Sequence, residues 1–208
     1  ATRGVAVNAR LAADCKLQPT PASSHLTPHR IMPSLVIDHA DFERRPVKPI
    51  QSTFFNSILV NLEFRHAEYP AGTLAALPWA VMEATGAQSA GVSLLAPGDG
   101  GRLRWAATGG RWADRKDSVF AIADTPCALV LQSGQWQAIG TPAGFAGWAN
   151  LDPQASESLH APIAGTGRAP RGTLWAVLNN AAGQFDSQDA FMLEALARLA
   201  ARLLPQPA

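Results

Sequence analysis

The last third of the chain holds the pattern that most restricts the fold. Residues 172–178 form an apolar run, and a polar turn leads from it to Phe185-Asp186-Ser187-Gln188-Asp189. Asp186 is a suitable N-cap, and Asp189 adds negative charge to the first turn of a helix. Apolar residues then recur at a seven-residue spacing, which indicates an amphipathic helix that ends near Leu204. These residues are Met192, Leu196, Leu199 and Leu203. A strand followed by a capped helix therefore closes the domain.

Composition and charge argue against several classes of protein. The 208 residues are 47% apolar and 16% charged, with a net charge of +1, which fits a globular protein with one core. The basic residues are scattered, so no nucleic-acid partner is expected. No apolar run is long enough to cross a membrane, and no signal segment is recognisable, so neither a membrane partner nor export is expected. Cys15 and Cys127 lie in dissimilar contexts and indicate no disulfide framework, which favours the cytoplasm.

The sequence divides into an arm, a domain and a tail. Prolines and polar residues without a sustained period mark residues 1–50 as a loose N-terminal arm or linker, in which only Val36-Ile37 suggests a short strand. The abrupt change after residue 31 suggests that Met32 is a translation start and that residues 1–31 are an upstream extension. Residues 51–204 are predicted to form one domain that includes an N-terminal helix, and residues 205–208 a tail.

Helical patterns and strand patterns follow each other within the predicted domain. Two helices are expected at about 52–66 and 74–85, with Gly86 ending the second. Because a proline inside a helix costs about 3 kcal/mol, the second helix is expected either to kink at Pro78 or to begin near Leu77. A short helix is expected at 127–132 and ends before Gly134. Five strands are expected, the first two as a hairpin, at 89–95, 103–108, 135–139, 158–163 and 173–179.

Five pieces of the sequence resemble the GAF domain family, and they occur in the order of that family. Residues 86–95 and 104–110 resemble the first strand with its preceding junction and the second strand of GAF modules in proteobacterial sensor proteins. Thr125-Pro126-Cys127 matches a Ser/Thr-Pro-Cys signature at the start of the mid-domain helix. Residues 171–177 and 185–189 resemble the closing strand and the start of the last helix. The resemblance spans the chain from Leu74 to Leu204.

The resemblance implies an α+β fold of the GAF/PAS-like kind. A central antiparallel sheet of five to six strands would carry the first and last helices on one face, and a short helix and loops on the other. The implied function is a small-molecule-sensing or regulatory module in bacterial signal transduction that is not an enzyme, with the cofactor and the ligand unknown. A homodimer through the terminal helices is also implied. Two alternatives stay open: a degenerate module that acts only in dimerisation or protein interaction, and a thiol redox enzyme that uses Cys127.

The candidate ligand-binding residues lie in the middle of the chain. Trp112 and Trp148 lie on or beside loops, where binding residues concentrate and where aromatic rings can stack on a planar ligand. Trp105 lies on a strand and is better explained by core packing. Cys127 at a helix N-terminus would have a lowered thiol pKa, but the interpretation as a small buried packing residue is favoured. His160 has no partner at metal-ligand spacing, so a structural histidine is favoured over a ligand. No catalytic residue and no metal site are predicted.

Overall fold

A six-stranded antiparallel sheet forms the centre of the protein. The computed structural model describes residues 35–49, 52–96, 98, 101–164, 167–180 and 183–204. The strands lie in the order β3-β2-β1-β6-β5-β4, and every neighbouring pair is antiparallel. Their bounds are Ser89–Leu95 (β1), Arg102–Gly110 (β2), Val119–Ala121 (β3), Gln137–Ile139 (β4), Glu157–Pro162 (β5) and Gly172–Leu178 (β6). The predicted α+β class and the predicted antiparallel sheet are confirmed.

Helices cover the sheet unequally on its two sides. Three long helices share a core with one side of the sheet, and a short helix and loops cover the other side. The α-helices of the described residues are His39–Glu43 (α1), Ser52–Glu68 (α2), Thr73–Thr85 (α3), Cys127–Ser133 (α4) and Ser187–Leu203 (α5). Of these, α2, α3 and α5 form the helical side, whereas α4 lies opposite. This is the predicted division between terminal helices and the short helix.

The alternation of side chains along each strand separates two cores. On β6, Leu174 and Ala176 pack toward the helices, whereas Trp175 and Val177 pack on the opposite side. On β1, Val92 packs toward the helices in the same way. Successive side chains of a strand point to opposite faces, so one strand supplies residues to both cores. The core opposite the long helices is built largely from aromatic rings, and we call that side of the sheet the aromatic face.

The start of α5 is fixed by reciprocal hydrogen bonds. Asp186 Oδ1 accepts hydrogen bonds from the backbone N–H groups of Gln188 at 2.9 Å and Asp189 at 3.2 Å. Asp189 Oδ2 accepts in return from the Asp186 N–H at 3.0 Å. This capping box satisfies N–H groups that a helix would otherwise leave unpaired at its first turn. The predicted N-cap at Asp186 is confirmed.

Helix α3 runs through its proline. It extends without interruption over Thr73–Thr85 with Pro78 inside, so the expected alternative start near Leu77 is wrong. The proline ring packs on β2 at a residue with no side chain, because a Cβ on Gly109 would lie only 3.0 Å from Pro78 Cβ. That buried contact offsets part of the cost of the hydrogen bond that proline cannot make. Gly86 ends the helix with a φ of 70°, as predicted.

Residues 35–49, which we call the N-terminal segment, pack on the domain. The sequence assigns them to a loose arm, but Phe42 is fully buried and Val36 forms a β-bridge with Ile139 on β4. Arg45 donates hydrogen bonds to Glu157 Oε1 at 2.7 Å and to the Phe185 carbonyl oxygen at 2.6 Å. Because Val36 forms only an isolated bridge, the strand suggested at Val36-Ile37 is not present as a strand. The predicted extension 1–31 and the tail 205–208 lie outside the described residues.

A Gly91→Ala substitution is expected to lower the free energy of unfolding by about 1–3 kcal/mol, the usual cost of overpacking a core. A Cβ on Gly91 would overlap the ring of Trp175 and lie 2.8 Å from the Ala107 carbonyl oxygen. Chemical denaturation measures the change. Gly134→Ala is an unsuitable control because Gly134 has a φ of 69°, so Gly140→Ala, where the nearest atom is 3.4 Å away, serves instead. Equal stability of the two variants would contradict the expected overlap.

Candidate functional site

Four tryptophans occupy the aromatic face. Trp105 lies on β2 and Trp175 on β6, Trp112 follows β2, and Trp148 lies between β4 and β5. The ring centroids of Trp105 and Trp175 are 4.8 Å apart, those of Trp112 and Trp148 5.1 Å, and those of Trp148 and Trp175 5.6 Å. All four side chains are buried. Tilted and edge-to-face arrangements at these distances are the preferred ones for aromatic pairs.

The five predicted ligand-binding residues converge on this face. Trp105, Trp112 and Trp148 belong to the ring cluster, Cys127 shares its core, and His160 lies 5.3 Å from the Trp148 ring, measured between ring centroids. Their convergence does not test their role, so ligand binding stays a prediction. Trp112 and Trp148 are buried, although their positions beside loops suggested rings open to a ligand.

A network of buried polar groups lies under the rings. Thr173 Oγ1 donates to Cys127 Sγ at 3.1 Å, and Trp175 Nε1 donates to Ser93 Oγ at 2.9 Å. Cys127 Sγ is 3.8 Å from Ser93 Oγ and 4.0 Å from His160 Nδ1. The other ring nitrogen of His160, Nε2, is 2.8 Å from the hydroxyl oxygen of Ser158, which completes the network.

Sequence reasoning did not include Ser93, Ser158, Thr173 or Trp175 in the site. The available signal was strand alternation, because Ser158 and His160 are two residues apart on β5, and Thr173 and Trp175 are two apart on β6. Residues at that spacing share one face of a sheet, so identifying the face of His160 identifies Ser158 as well. The sequence does not show which strands are neighbours in the sheet, and this information is needed to bring the residues of β1, β5 and β6 together.

Burial keeps both titratable groups of the network neutral. It is the largest effect on Cys127 and raises the pKa of the thiol, while hydrogen bonds from Thr173, Ser93 and Thr125 act in the opposite direction. The lowered pKa of the alternative interpretation is therefore not found, because loss of hydration has the larger effect, and the full burial of Cys127 agrees with the favoured packing interpretation. Burial also lowers the pKa of His160 from 6.5 to about 3. At neutral pH the face thus presents a thiol and an uncharged imidazole.

Two buried indole N–H groups have no hydrogen-bond partner among the described residues. They belong to Trp112 and Trp148, whose side chains are 3% and 1% exposed. Leaving a buried donor unpaired costs about 1–3 kcal/mol, and native proteins contain few such groups. Both donors lie in the two segments that cover the aromatic face. The face therefore offers two donors to an acceptor that the described residues do not provide.

An ion pair joins these two covering segments at the rim of the face. Arg111 precedes Trp112, and its Nε lies 3.4 Å from Asp152 Oδ2, in the segment that carries Trp148. Asp152 is buried, and its Oδ2 also accepts a hydrogen bond from Asn179 Nδ2 at 2.8 Å. Asn179 is held in turn by Ser89, whose hydroxyl donates to Asn179 Oδ1 at 2.8 Å. The aspartate is therefore fixed to the sheet, while Arg111 is 49% exposed.

Other parts of the described surface offer grooves, but the described residues form no metal site. Two grooves flank α2, one of about 540 Å³ facing α3 and one of about 570 Å³ facing α5. Within the described residues there is no group of three His, Cys, Asp or Glu side chains placed to hold a metal ion. None of the described helices combines the length and the apolar character needed to cross a membrane.

Comparison with known proteins identifies the fold and not the activity. No protein-family model matches the sequence. No curated protein matches it either. Among solved structures, the chain resembles the GAF domain of an Acinetobacter phosphoenolpyruvate-protein phosphotransferase, with 14% identity, a TM-score of 0.62, and coverage of 76% of this chain and 93% of that one.

Two further neighbours are enzymes. A free methionine-R-sulfoxide reductase from Neisseria meningitidis has 20% identity and a TM-score of 0.60, over 76% of this chain and 93% of that one. A type II free methionine-R-sulfoxide reductase from Thermoplasma acidophilum has 20% identity and a TM-score of 0.54, over 65% and 92%. These neighbours contradict the prediction that the chain is not an enzyme, because enzymes share its architecture. At such identities the likeness establishes the fold alone, and the fold of this protein is that of a GAF domain.

Proposed function

We propose that this protein is a small-molecule-sensing, regulatory GAF-type module of bacterial signal transduction that binds its ligand on the aromatic face. The observation that carries the proposal is the pair of buried indole N–H groups, on Trp112 and Trp148, without partners among the described residues. Cys127 and His160 extend the same face with neutral polar groups. The low cysteine content, with no disulfide framework, supports a cytoplasmic setting.

The N-terminal segment supplies a route from the aromatic face to the terminal helices. At one end Leu35 packs against that face, close to Gly144 in the segment that carries Trp148. At the other end the Lys48 N–H donates to Asp186 Oδ2 at 2.8 Å, and Lys48 Nζ to Asp189 Oδ2 at 2.7 Å, both at the start of α5. A displacement of the covering segments by a ligand would reach α5 through these contacts.

Native mass spectrometry and absorption spectroscopy of the protein purified from its host test the proposal. We expect a bound mass on the intact protein that is lost when Trp112 and Trp148 are both replaced by phenylalanine, because the indole donors are removed while an aromatic ring remains at each position. Trp79→Phe is the matched control, since Trp79 is 57% exposed on α3. Visible absorbance would identify a coloured cofactor. A wild-type protein without bound mass, and without thermal stabilisation by cell metabolites, would contradict the proposal.

We also propose that the module forms a homodimer through α2 and α5. Large apolar side chains are exposed on these helices, namely Phe54, Val60, Phe64 and Phe191. Burying such side chains against a second copy would remove their apolar surface from water. Sedimentation at micromolar concentration should give a dimer that Phe64→Glu converts to a monomer, whereas Val119→Glu on β3 should not. A monomeric wild-type protein would contradict this arrangement.

A second candidate function is an interaction module that takes no small molecule. The observation in its favour is that tryptophan rings already fill the aromatic face, with centroids no more than 5.7 Å apart for the pairs in contact. The exposed apolar side chains of α2 and α5 would then be its working surface. Dimerisation without any bound mass in the experiment above would favour this candidate over the sensing module.

A third candidate function is thiol-dependent reduction of a sulfoxide at Cys127. It is favoured by the reductase neighbours and by the position of Cys127 Sγ, 4.0 Å from His160 Nδ1. In such a step the thiol would become a sulfenic acid as the sulfoxide oxygen is lost, and an added thiol would restore it. The raised pKa of Cys127 argues against this step, since the thiolate is the nucleophile. Turnover of free methionine-R-sulfoxide with dithiothreitol, abolished by Cys127→Ser, would establish the activity.

A further inference from the structure

The chemistry of the aromatic face restricts what it can bind. Its core contains aromatic and aliphatic side chains together with Cys127, and the two charged residues at its rim, Arg111 and Asp152, are paired with each other. Beneath the rings, His160 is uncharged because burial lowers its pKa to about 3. Burying an ionised group where no opposite charge is available is strongly unfavourable. A ligand that reaches this core must therefore be uncharged.

The unpaired groups define the complementary atom of that ligand. Trp112 Nε1 and Trp148 Nε1 are both donors, and an indole nitrogen cannot accept a hydrogen bond. The two ring centroids are 5.1 Å apart with an interplanar angle of 87°, so both donors belong to one ring cluster. One strongly polarised oxygen can accept from both, because such an oxygen has two lone pairs. An apolar body on the ligand would pack against the rings.

The rim ion pair determines how such a ligand would enter. Arg111 and Asp152 connect the segments that carry Trp112 and Trp148, and the tryptophan rings fill the face between them. The segments must separate before a molecule can pass. Asp152 is anchored through Asn179, so the exposed Arg111 is the partner free to move away.

From these observations we infer that the aromatic face binds a compact, uncharged molecule with one sulfoxide or carbonyl oxygen, which accepts from the indole N–H groups of Trp112 and Trp148. The Arg111–Asp152 ion pair holds the two covering segments closed over it. The inference rests on the proposed ligand-binding function and specifies the ligand class of that site. It gives the unpaired indoles a partner and explains why they are placed behind an ion pair at the rim.

Three probes of similar size and different chemistry test the ligand class. They are tetramethylene sulfoxide, which is uncharged with a polar oxygen, tetrahydrothiophene, which lacks the oxygen, and cyclopentanecarboxylate, which is charged. The protein has six tryptophans, so an ¹H–¹⁵N spectrum resolves six indole N–H signals, and Trp112→Phe and Trp148→Phe each remove one and thereby assign it. We expect the sulfoxide alone to shift both assigned signals in a saturable manner. The signal of the exposed Trp79 should not move.

Each other outcome overturns the inference in a distinguishable way. An equal response to the carboxylate would show that charge is accepted, and an equal response to the thioether would show that the indole donors are not used. Signals unmoved by all three probes would mean that the indole N–H groups pair with ring faces inside the cluster. If native mass spectrometry still finds a ligand in that case, the sensing function stands and only the ligand class fails. If it finds none, both fail.

Hydrogen exchange of the two indole N–H groups tests the role of the rim ion pair without any ligand. Arg111→Met is expected to raise the exchange rates of Trp112 and Trp148 by about two- to fivefold, the range for loss of a partly exposed ion pair. Arg104→Met is the matched control, because Arg104 forms a comparable ion pair with Asp117 at 2.6 Å and lies on β2, the strand that Arg111 follows. Exchange rates that rise equally in both variants, or in neither, would show that Arg111 does not hold the segments closed.

Discussion

Replacing Trp175 with alanine is expected to lower the free energy of unfolding by about 3–5 kcal/mol, the range for truncating a large buried aromatic side chain. Trp175 is fully buried at the centre of the ring cluster, in contact with the rings of Trp105, Trp112 and Trp148. Its Nε1 donates to Ser93 Oγ at 2.9 Å. Truncation would remove all these contacts and leave a cavity that three separate chain segments would have to fill.

Urea denaturation at neutral pH measures this effect, and two further variants make it interpretable. Trp175→Phe keeps an aromatic ring but loses the N–H, so its free energy of unfolding should lie between those of the wild type and Trp175→Ala. It also gives a measurable loss if the alanine variant does not fold. Trp79→Ala, on the exposed side of α3, should change the free energy by about 0.5 kcal/mol or less. A loss below about 1 kcal/mol for Trp175→Ala would mean that the cluster is not a packed core.

Local signals in the sequence predicted most of the fold. The N-cap at Asp186, the glycines after α3 and α4 and the alternation in β1 and β2 each specify structure within a few residues. Strand β3 was missed, because Val119–Ala121 has only three residues and none of them is buried. Its strand character comes from pairing with β2, between Leu103 and Phe120 for example. Pairing of this kind cannot be inferred from the segment itself.

The N-terminal segment and the site depended on long-range contacts. Arg45 is bound by Glu157, which lies 112 residues later. Such a contact is not visible in the local sequence, whose proline-rich composition therefore suggested a loose arm. Trp112 and Trp148 were predicted as ligand-binding residues from their residue type and their position beside loops, but their mutual contact requires two loops to fold over one sheet. For Cys127 the sequence offered two interpretations, a buried packing residue and a thiolate at a helix N-terminus, and the tertiary structure is needed to show that burial raises the thiol pKa.

The stability of the protein is expected to fall steeply below pH 6.5 because of His160. Burial lowers the pKa of His160 from 6.5 to about 3, so between these values the unfolded chain binds a proton that the folded chain does not. The contribution of His160 to stability is therefore complete above pH 6.5 and is lost as the pH falls toward 3. Each pH unit within this window costs about 1.4 kcal/mol. From pH 6.5 to 4.5 the loss should be about 2–3 kcal/mol.

Denaturation curves at a series of pH values measure this loss in the wild type and in two histidine variants. His160→Gln should flatten the acid slope, because the neutral side chain has no proton to bind and an amide can still pair with Ser158. His66→Gln should retain the slope, because His66 is hydrogen-bonded to Thr73 on the helical side and its replacement leaves His160 unchanged. If His160→Gln does not fold, NMR of the wild type provides the test. The imidazole signal of His160 should then stay unchanged from pH 8 to about 5. A titration of that signal near pH 6.5 would show that water reaches the aromatic face, and the closed site with its neutral interior would then be wrong.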